Sequence, residues 1–147
     1  MKLSTRSLYG MRALVELGLA TGRGPVSASV IAGKQELSVA YLEQLLHRLK
    51  KHGLVISVRG PKGGYLLAKE PEQISVAEIV RILDGHGERN GKLSELSRHA
   101  QPIAHAIFRC VHERLAEALD RVTLQDVCDE AAELSGEPLE HRYVFHI

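Results

Sequence analysis

The residues from 54 to 68 read Leu54-Val55-Ile56-Ser57-Val58-Arg59-Gly60-Pro61-Lys62-Gly63-Gly64-Tyr65-Leu66-Leu67-Ala68. Two β-prone runs flank a glycine-rich turn that carries Arg59 and Lys62, and this pattern predicts a β-hairpin with a basic tip. An amphipathic helix that opens at Ser38 is predicted directly before the hairpin. A helix followed by a basic hairpin is typical of a winged helix-turn-helix, in which the helix enters the major groove of DNA and the hairpin, or wing, lies along the phosphates.

Three helices are predicted before the hairpin. A broad apolar face predicts the first helix from Thr5 to about Ala20. A short second helix is expected from about Ser27, and a turn over residues 33–37 leads to the third. Ser38 fits the N-cap of that third helix, because its hydroxyl can accept a hydrogen bond from an amide of the first turn, and Gly53 fits a left-handed stop. Apolar residues at helical spacing turn one side of it towards a core: Tyr41, Leu42, Leu45, Leu46 and Leu49.

The sequence after the hairpin predicts a fourth helix, a loop and two further helices. Ser75-Val76-Ala77-Glu78 is a capping-box pattern that opens the fourth helix. Residues 85–101 lose the helical periodicity and are expected to form a loop, and loops of that length are commonly functional. Pro102 suits the first turn of a long helix, and Thr123 can cap a last helix that runs to about Leu134.

Apolar residues on the long helix recur at a spacing of three or four over about five turns. This spacing fits the contact between two copies of the chain in an antiparallel or crossed dimer. Dimerisation contacts are expected from Ile107, Val111, Leu115 and Leu119. The expected fold class is mainly α with a small β-wing. It comprises a winged helix-turn-helix over 1–84, a sensor or effector loop over 85–101, and a dimerisation helix with a C-terminal helix and tail over 102–147.

Charge is distributed unevenly along the 147 residues, although the net charge is only +1. Residues 1–70 contain 11 Lys and Arg against 4 Asp and Glu, whereas residues 71–147 contain 8 against 14. A basic half favours a polyanionic partner, and an acidic half would help to orient it; chance clustering on solvated helix faces is the alternative. No apolar run approaches the ~20 residues of a membrane span, and no leader segment is recognised. We therefore expect a cytoplasmic protein without a membrane partner.

Cysteine and catalytic patterns exclude several function classes. Cys110 and Cys128 do not form a disulfide framework, and neither has a Cys-x-x-Cys partner. Both fall in helical patterns and are expected to be small buried hydrophobic residues rather than reactive or ligating ones. The sequence contains no paired carboxylates, nucleophile elbow, Walker loop or closed metal set, so no enzyme activity is expected.

The third helix presents several side chains near its exposed N-terminal end. Glutamine can pair bidentately with adenine, glutamate can accept a hydrogen bond from cytosine N4, and serine or tyrosine can bind a phosphate or a base edge. An ordinary solvated face is the alternative for any one residue, but it is less consistent with a polar face directly before a basic wing. The residues presented there are Ser38, Ala40, Tyr41, Glu43, Gln44 and His47.

The wing adds glycines and cations to this surface. Gly60, Gly63 and Gly64 allow a close approach of the backbone and positive φ values. Arg59 suits a narrow A·T-rich minor groove, whose negative potential attracts arginine, and Lys62 adds charge at the tip. The segment is not a phosphate-binding P-loop, because no Ser or Thr follows Lys62. Phosphate contacts that add affinity without sequence discrimination are expected from Arg6, Arg12, Arg48 and Lys50.

At these residues the chain resembles the Rrf-two-type winged-helix transcription regulators of bacteria. The resemblance spans nearly the whole chain, and its Tyr-Leu-Glu-Gln-Leu and Arg-Gly-Pro motifs are highly specific. It implies a dimer joined through the long helix, with each winged helix reading half of a palindromic operator. The matching pieces are Lys2-Leu3-Ser4-Thr5 with Tyr9-Gly10, Gly24-Pro25-Val26, Tyr41-Leu42-Glu43-Gln44-Leu45, Gly53-Leu54-Val55, Val58-Arg59-Gly60-Pro61 with Gly63-Gly64-Tyr65, and Thr123-Leu124.

The resemblance also implies roles for single residues. Its groove contacts map onto Ser38, Tyr41, Glu43 and Gln44, and its wing contact maps onto Arg59. Ala40 stands where members of the family commonly carry a hydroxyl residue, so one contact of the family pattern is absent here.

The region after the fourth helix departs from the cluster-binding members of this family. Those members carry three cysteines before the dimer helix, sometimes with a histidine three residues after the last. The matching positions here fall near 90–92, near Leu96 and at Pro102, and none is cysteine, whereas His105 matches the histidine. Because thiolates are the usual ligands of such clusters, no cofactor is expected, and an iron–sulfur cluster would need non-standard ligands. The ending 143–147 is similar to that of members that carry no cluster and work through a partner enzyme.

Six of the eight histidines lie in the second half of the chain. They are expected to be solvated surface residues; a metal-sensing site would instead combine His99, His105 and His112 with Cys110 or Glu95. The sequence thus predicts a homodimeric bacterial transcription regulator, a repressor, that reads a palindromic operator and responds to a signal at residues 85–110. The signal would be a small effector or a regulatory enzyme. The alternatives are an interaction module that acts on a metabolic enzyme, and an iron–sulfur or metal sensor with non-standard ligands.

Overall fold

The computed structural model describes residues 3–85 and 102–136 of the chain. It is mainly helical, with one small antiparallel sheet, which confirms the expected fold class. In chain order the elements are α1 (Thr5–Leu19), α2 (Ala28–Gln35), α3 (Val39–Lys51), β1 (Val55–Val58), β2 (Gly64–Leu67), a 3-10 turn (Pro71–Gln73), α4 (Val76–Asp84), α5 (Pro102–Arg121) and α6 (Leu124–Ser135).

Serine side chains set the start of the first three helices. Ser4, Ser27 and Ser38 each accept a hydrogen bond from the amide three residues later, at 3.0, 3.2 and 3.2 Å. The first amides of a helix have no partner within the helix, so a hydroxyl in this position fixes the helix start. The predicted cap at Ser38 is confirmed.

The turn between α2 and α3 differs from the expectation. Residues 33–37 are predicted to form it, but α2 continues to Gln35 and Glu36 makes the left-handed turn at a φ of 55°. The Leu37 amide donates to the Ala32 carbonyl at 2.9 Å, and the Leu37 side chain packs against the core. Burial of Leu37 therefore holds a non-glycine residue in a conformation that is costly for it.

The hydrophobic core lies where α1, α2, α3 and α4 meet, and α6 completes it. Gly10 lets α1 and α4 come close, because a Cβ at this position would lie 2.2 Å from the Leu83 side chain. Leu124 and Cys128 of the C-terminal half are buried in the same cluster, so the core joins the ranges 1–84 and 102–147. The largest fully buried side chains are Leu14, Ile31, Leu42, Leu46, Leu49, Leu54, Ile74, Ile79, Leu83, Leu124, Val55 and Cys128.

Helix α5 stands apart from this core over most of its length. Each of its described side chains from Pro102 to Ala118 is exposed. Its C-terminal end is fastened to the start of α4: the Val76 amide donates to the Val122 carbonyl at 2.8 Å, and the Leu124 amide donates to the Ile74 carbonyl at 2.8 Å. The helix is therefore anchored at one end.

The two cysteines have different environments. Cys128 is buried in α6 against α1, where a Cβ on Gly18 would lie 2.6 Å from its sulfur, so the expectation of a small buried hydrophobic residue is confirmed. The same expectation is wrong for Cys110, which is exposed. Cys110 lies on the part of α5 whose described side chains are all exposed.

The capping box is complete at the start of α6, but only half of it forms at the start of α4. Ser75 accepts a hydrogen bond from the Glu78 amide at 3.1 Å, but the Glu78 carboxylate lies 3.5 Å from the Lys69 ammonium instead of completing a box. A reciprocal box joins Thr123 and Asp126, with amide-to-side-chain hydrogen bonds of 3.1 and 3.0 Å. The predicted cap at Thr123 is thus confirmed.

Some expectations fall on residues that lie outside the described ranges. These are the loop at 85–101 apart from Gly85, with His99 in it, and the ending at 143–147. Within residues 3–85 and 102–136, no helix has the length and apolar character needed to cross a membrane.

Candidate nucleic-acid interface

Helix α3 has one buried and one exposed face. Its four leucines, Leu42, Leu45, Leu46 and Leu49, are at most 2% exposed. With 3.6 residues per turn, the side of the helix directly opposite them falls along positions 40, 44, 47 and 51. The exposed residues of α3 are Val39, Ala40, Glu43, Gln44, His47, Arg48, Lys50 and Lys51, so the predicted candidates Glu43, Gln44 and His47 lie on an accessible surface.

Two predicted groove contacts at the first turn of α3 are engaged within the protein. The Ser38 hydroxyl caps the helix through the Tyr41 amide, and its own hydrogen remains to be donated outward. The Tyr41 ring is half-buried and stands edge-on to Tyr9, with 6.1 Å between the ring centroids. The Arg12 guanidinium lies 5.4 Å from the centre of the Tyr9 ring. Tyr41 is thus held in place before any DNA is bound.

The wing is an antiparallel pair in which Val55 faces Leu67 and Val58 faces Gly64. Strand β2 also pairs on its other side with Val26, through backbone hydrogen bonds of 2.8 and 3.0 Å between Val26 and Tyr65. The wing is therefore attached to the segment between α1 and α2 as well as to the end of α3.

Two consecutive glycines allow close backbone contacts in the wing. Gly64 has a φ of 153°, and a Cβ there would lie 2.4 Å from the Val26 backbone. A Cβ on Gly63 would lie 2.2 Å from the Val58 carbonyl oxygen. Since real Cβ atoms do not approach so closely, both glycines serve the folded shape of the wing. The positive φ expected at both positions is found at Gly64 and not at Gly63.

The sequence also predicts that Leu54, Ile56 and Val58 alternate in burial with Val55 and Ser57, and the structure differs from this prediction. Leu54 and Val55 are both buried, whereas Ile56 and Val58 are 47% and 40% exposed. Leu54 precedes the strand, and its amide still bonds to the last turn of α3, at 3.0 Å from the Leu49 carbonyl. It therefore belongs to the corner between helix and strand, and within β1 only Val55 is buried.

The tip of the wing carries two cations that have no partner in the described part of the chain. Arg59 and Lys62 are both exposed, and neither makes an ion pair or a side-chain hydrogen bond to residues in 3–85 or 102–136. Gly60, at a φ of 114°, closes the turn by accepting a hydrogen bond from the Gly63 amide at 2.9 Å. A tight turn thus presents two unpaired positive charges to the solvent.

One contact ties the wing to α3 directly. The Lys50 ammonium donates to the Ser57 hydroxyl oxygen at 2.7 Å. Lys50 is exposed, so its remaining donors and its charge are accessible while its position is fixed. Sequence reasoning identified Lys50 as a cation, but it missed this link between the helix and the wing.

The three arginines expected to contact phosphates also bind within the protein. Arg6 and Arg48 both donate to the Leu83 carbonyl oxygen, at 3.3 and 3.1 Å. Arg12 donates to the side chain and to the backbone carbonyl of Gln35, the latter at 3.1 Å. A guanidinium has five donors, so each arginine has others left for a phosphate. These internal bonds join residues far apart in sequence, and no local signal predicts them.

Helix α5 carries an exposed apolar stripe, formed by Ile103, Ile107, Val111 and Leu115. These side chains are 74%, 58%, 52% and 38% exposed, respectively. Leu119, which is expected to contact the partner copy, is instead half-buried and packs against the core of its own protomer. Three of the four expected dimerisation residues therefore remain accessible.

The described residues do not fit a cysteine-ligated iron–sulfur cluster. The whole chain has two cysteines, and they are held apart by the fold: Cys128 is in the core beside Gly18, and Cys110 is exposed on α5. Such clusters are usually held by four cysteine thiolates. In residues 3–85 and 102–136, no group of three or more His, Cys, Asp or Glu is placed to hold a metal ion.

Comparisons with known proteins agree with this geometry. A family model described as "Rrf2: Iron-dependent Transcriptional regulator" matches residues 3–130. The transcriptional regulator CymR of Bacillus subtilis is 36% identical over 149 residues, which cover 100% of both chains. The transcriptional regulator IscR of Klebsiella pneumoniae is 36% identical over 146 residues, which cover 96% of this chain and 89% of IscR. Both relatives are described as helix-turn-helix regulators.

Solved structures show the same similarity. The structure of T. potens IscR matches with a TM-score of 0.75 and 40% identity, over 91% of this chain and 90% of that one. The structure of CymR, the global cysteine regulator of B. subtilis, matches with a TM-score of 0.76 and 34% identity, over 88% of this chain and 98% of that one.

Proposed function

We propose that this chain, which belongs to the Rrf2 family of transcriptional regulators, works as a homodimeric repressor that reads a palindromic operator. It is a DNA-binding transcription regulator, as its relatives are. The homodimer, the symmetry of the operator and repression are the parts that we propose. We place its work in the cytoplasm, at the genome, and we propose no enzymatic activity for it.

One arrangement of residues supports the mode of DNA binding. The polar face of α3 and the basic wing are joined by a hydrogen bond that Lys50 donates to Ser57 across the corner between them. Arg59 and Lys62 have no partner in the described ranges. In the proposed complex, α3 reads base edges with Glu43 and Gln44, and the wing tip lies at the neighbouring minor groove.

The phosphate contacts follow from the same placement. Arg6, Arg48 and Lys50 are exposed and keep free donors, so we propose that they bind the DNA backbone. These contacts would add affinity that is independent of sequence and sensitive to salt. We propose that Ser38, Tyr41 and His47 complete the DNA-contacting surface of α3. Gly60 lets the turn of the wing approach the DNA closely.

The dimer is supported by the stripe on α5. A helix of 20 residues is about 30 Å long, and its apolar side chains face solvent in the isolated protomer. Pairing of Ile107, Val111 and Leu115 between two copies would bury them. Two winged helices would then be held at a fixed spacing, which suits two half-sites of an inverted repeat.

The end of α4 is the proposed route by which a signal reaches the DNA-binding surface. Leu83 holds Arg6 of α1 and Arg48 of α3 through its carbonyl oxygen, and Ser4 donates to Asp84. The chain then enters residues 85–101, the proposed sensor or effector segment. A change in that segment that moves the end of α4 would release or shift α3. We propose a small effector or a regulatory enzyme as the signal, and no resident iron–sulfur cluster.

Selection of binding sites tests the proposed function. The purified chain is incubated with a pool of genomic duplexes, and retained fragments are sequenced. We expect an inverted repeat occupied by two copies of the chain, measured by sedimentation of the complex, and lower transcription from a promoter that contains it. Failure to retain any duplex would contradict the DNA-binding mode. A non-symmetric site bound by one copy would contradict the dimer, and increased transcription would contradict repression.

A further inference from the structure

The first turn of α3 has an apolar centre on its exposed face. Ala40 is exposed, and it shares the side of the helix opposite the buried leucines with Gln44 and His47. Val39, the preceding residue, lies nearer the edge of that face and is 39% exposed. A short methyl side chain therefore stands in line with long polar side chains on the surface that would meet the base edges.

Two hydroxyl-bearing side chains of the same turn are held by contacts within the protein. Ser38 accepts the Tyr41 amide as the helix cap, and the Tyr41 ring is fixed edge-on against Tyr9. Ala40 lies on the outward side of the same turn, directly opposite the buried leucines. Its small size also lets the backbone of α3 come close to the base pair that it faces.

We propose that Ala40 is a specificity-determining residue that contacts the 5-methyl group of a thymine in each half-site of the operator. The inference rests on the proposed function, because it requires α3 to enter the major groove. The thymine methyl is the apolar group that the major groove presents, and alanine is among the residues that contact it. Glu43 and Gln44, one turn further on, would read the neighbouring bases.

The test removes the methyl group from the DNA and from the protein in turn. In the operator that the chain selects, each thymine is replaced by deoxyuridine, one symmetric pair at a time. Deoxyuridine keeps the base pairing and loses only the methyl group. At one pair of positions we expect the Kd of the dimer to rise about fifteenfold. Each lost methyl contact should raise the Kd roughly fourfold, and a symmetric pair of replacements removes two such contacts.

Variants of the protein assign the effect to one residue. Ala40→Gly should bind the unmodified operator about as weakly as the parent protein binds the deoxyuridine operator. It should no longer distinguish thymine from deoxyuridine. Val39→Ala is the matched control and should keep the distinction. Ala40→Ser, which preserves a Cβ in the helix, serves if the glycine variant is not folded by circular dichroism. For Ala40→Ser, the Kd values for the thymine and the deoxyuridine operators should differ by a smaller factor than for the parent protein, because the serine hydroxyl meets the methyl group.

The outcomes separate this inference from the proposed function. Retention of no duplex at the selection step would contradict the DNA-binding mode itself. A selected operator whose deoxyuridine forms all bind with unchanged Kd would overturn the inference alone. The same holds if the folded Ala40 variants keep the full distinction, or if Val39→Ala is the variant that loses it.

Discussion

Arg48 and Leu83 are 35 residues apart in sequence, and the Arg48 Nη1 atom donates to the Leu83 carbonyl oxygen at 3.1 Å. This bond joins α3, the proposed base-reading helix, to the last turn of α4. The carbonyl oxygens at a helix end lack partners within the helix, and a guanidinium is well suited to them by charge and geometry. Arg48 is therefore both a candidate phosphate contact and a fixed point of the fold.

Replacement of Arg48 tests the structural part of that role. Arg48→Ala should lower the free energy of unfolding by about 1–2 kcal/mol, since a hydrogen bond from a charged donor to α4 is lost. Urea denaturation of the DNA-free protein measures this change. Lys51→Ala is the control on the same helix, because Lys51 is exposed and makes no side-chain bond within the described ranges. Equal stability of the two variants would contradict the role assigned to the bond.

Arg59 at the tip of the wing should contribute to operator affinity and not to stability. Arg59→Ala should weaken binding by about 1–3 kcal/mol at fixed salt, the usual effect of one specific contact. Fluorescence anisotropy with the selected operator measures it. Arg81→Ala removes the same charge from α4, where Arg81 pairs with Asp120 at 3.6 Å and both are half-exposed, and it should change affinity little. An unaltered titration for Arg59→Ala would remove Arg59 from the interface.

The Gly64 position should tolerate no side chain. Gly64→Ala should lower stability by about 1–3 kcal/mol, because its backbone conformation is strained for alanine and the new Cβ would clash with Val26. Thermal unfolding measures the loss. The matched control is Gly33→Ala in α2, where a Cβ meets nothing within 4 Å, and it should stabilise by about 0.5–1 kcal/mol. If both substitutions stabilise the chain, the close contact between the wing and Val26 is wrong.

The apolar stripe on α5 should hold the dimer together. Leu115→Glu places a charge in that stripe and should yield monomers by sedimentation velocity and abolish binding to the inverted repeat. Leu134→Glu is the control: Leu134 is 83% exposed on α6, outside the stripe, and its replacement should leave the dimer intact. A stable Leu115→Glu dimer would show that the two copies meet elsewhere.

The freshly purified chain should be colourless. An anaerobic absorbance spectrum with iron and sulfide analysis should find neither element at a level near one cluster per chain, because two separated cysteines cannot supply the usual thiolate ligands. An iron-containing coloured protein would show that other residues hold a cluster.

Local signals in the sequence predicted much of this fold. The caps at Ser38 and Thr123 depend on bonds to residues three positions away, so the pattern alone is sufficient. The hairpin follows in the same way from two β-prone runs and a glycine turn. The left-handed turn at Glu36 has no such signal, because burial of a neighbouring side chain imposes it.

What sequence reasoning missed depends on contacts between distant residues. Leu119 has the spacing of a dimer residue, and it also packs partly against the core of its own protomer, which the spacing alone does not reveal. Cys110 has a helical pattern suited to burial, yet its side chain is exposed. Of the candidate site, sequence identified the cations and polar residues. It did not identify their internal partners, such as Ser57 for Lys50.

The salt dependence of operator affinity tests the central claim most directly. The dissociation constant for the selected duplex is measured from 50 to 200 mM salt, together with that of a scrambled duplex of equal length. If α3 and the wing grip the phosphates in both halves of a dimer, log affinity should fall with log salt at a slope of about −5 to −9, as expected for 6–10 neutralised phosphates. The selected duplex should bind at least about 1,000-fold more tightly than the scrambled one. Affinity that does not change with salt, or equal affinity for both duplexes, would contradict the account.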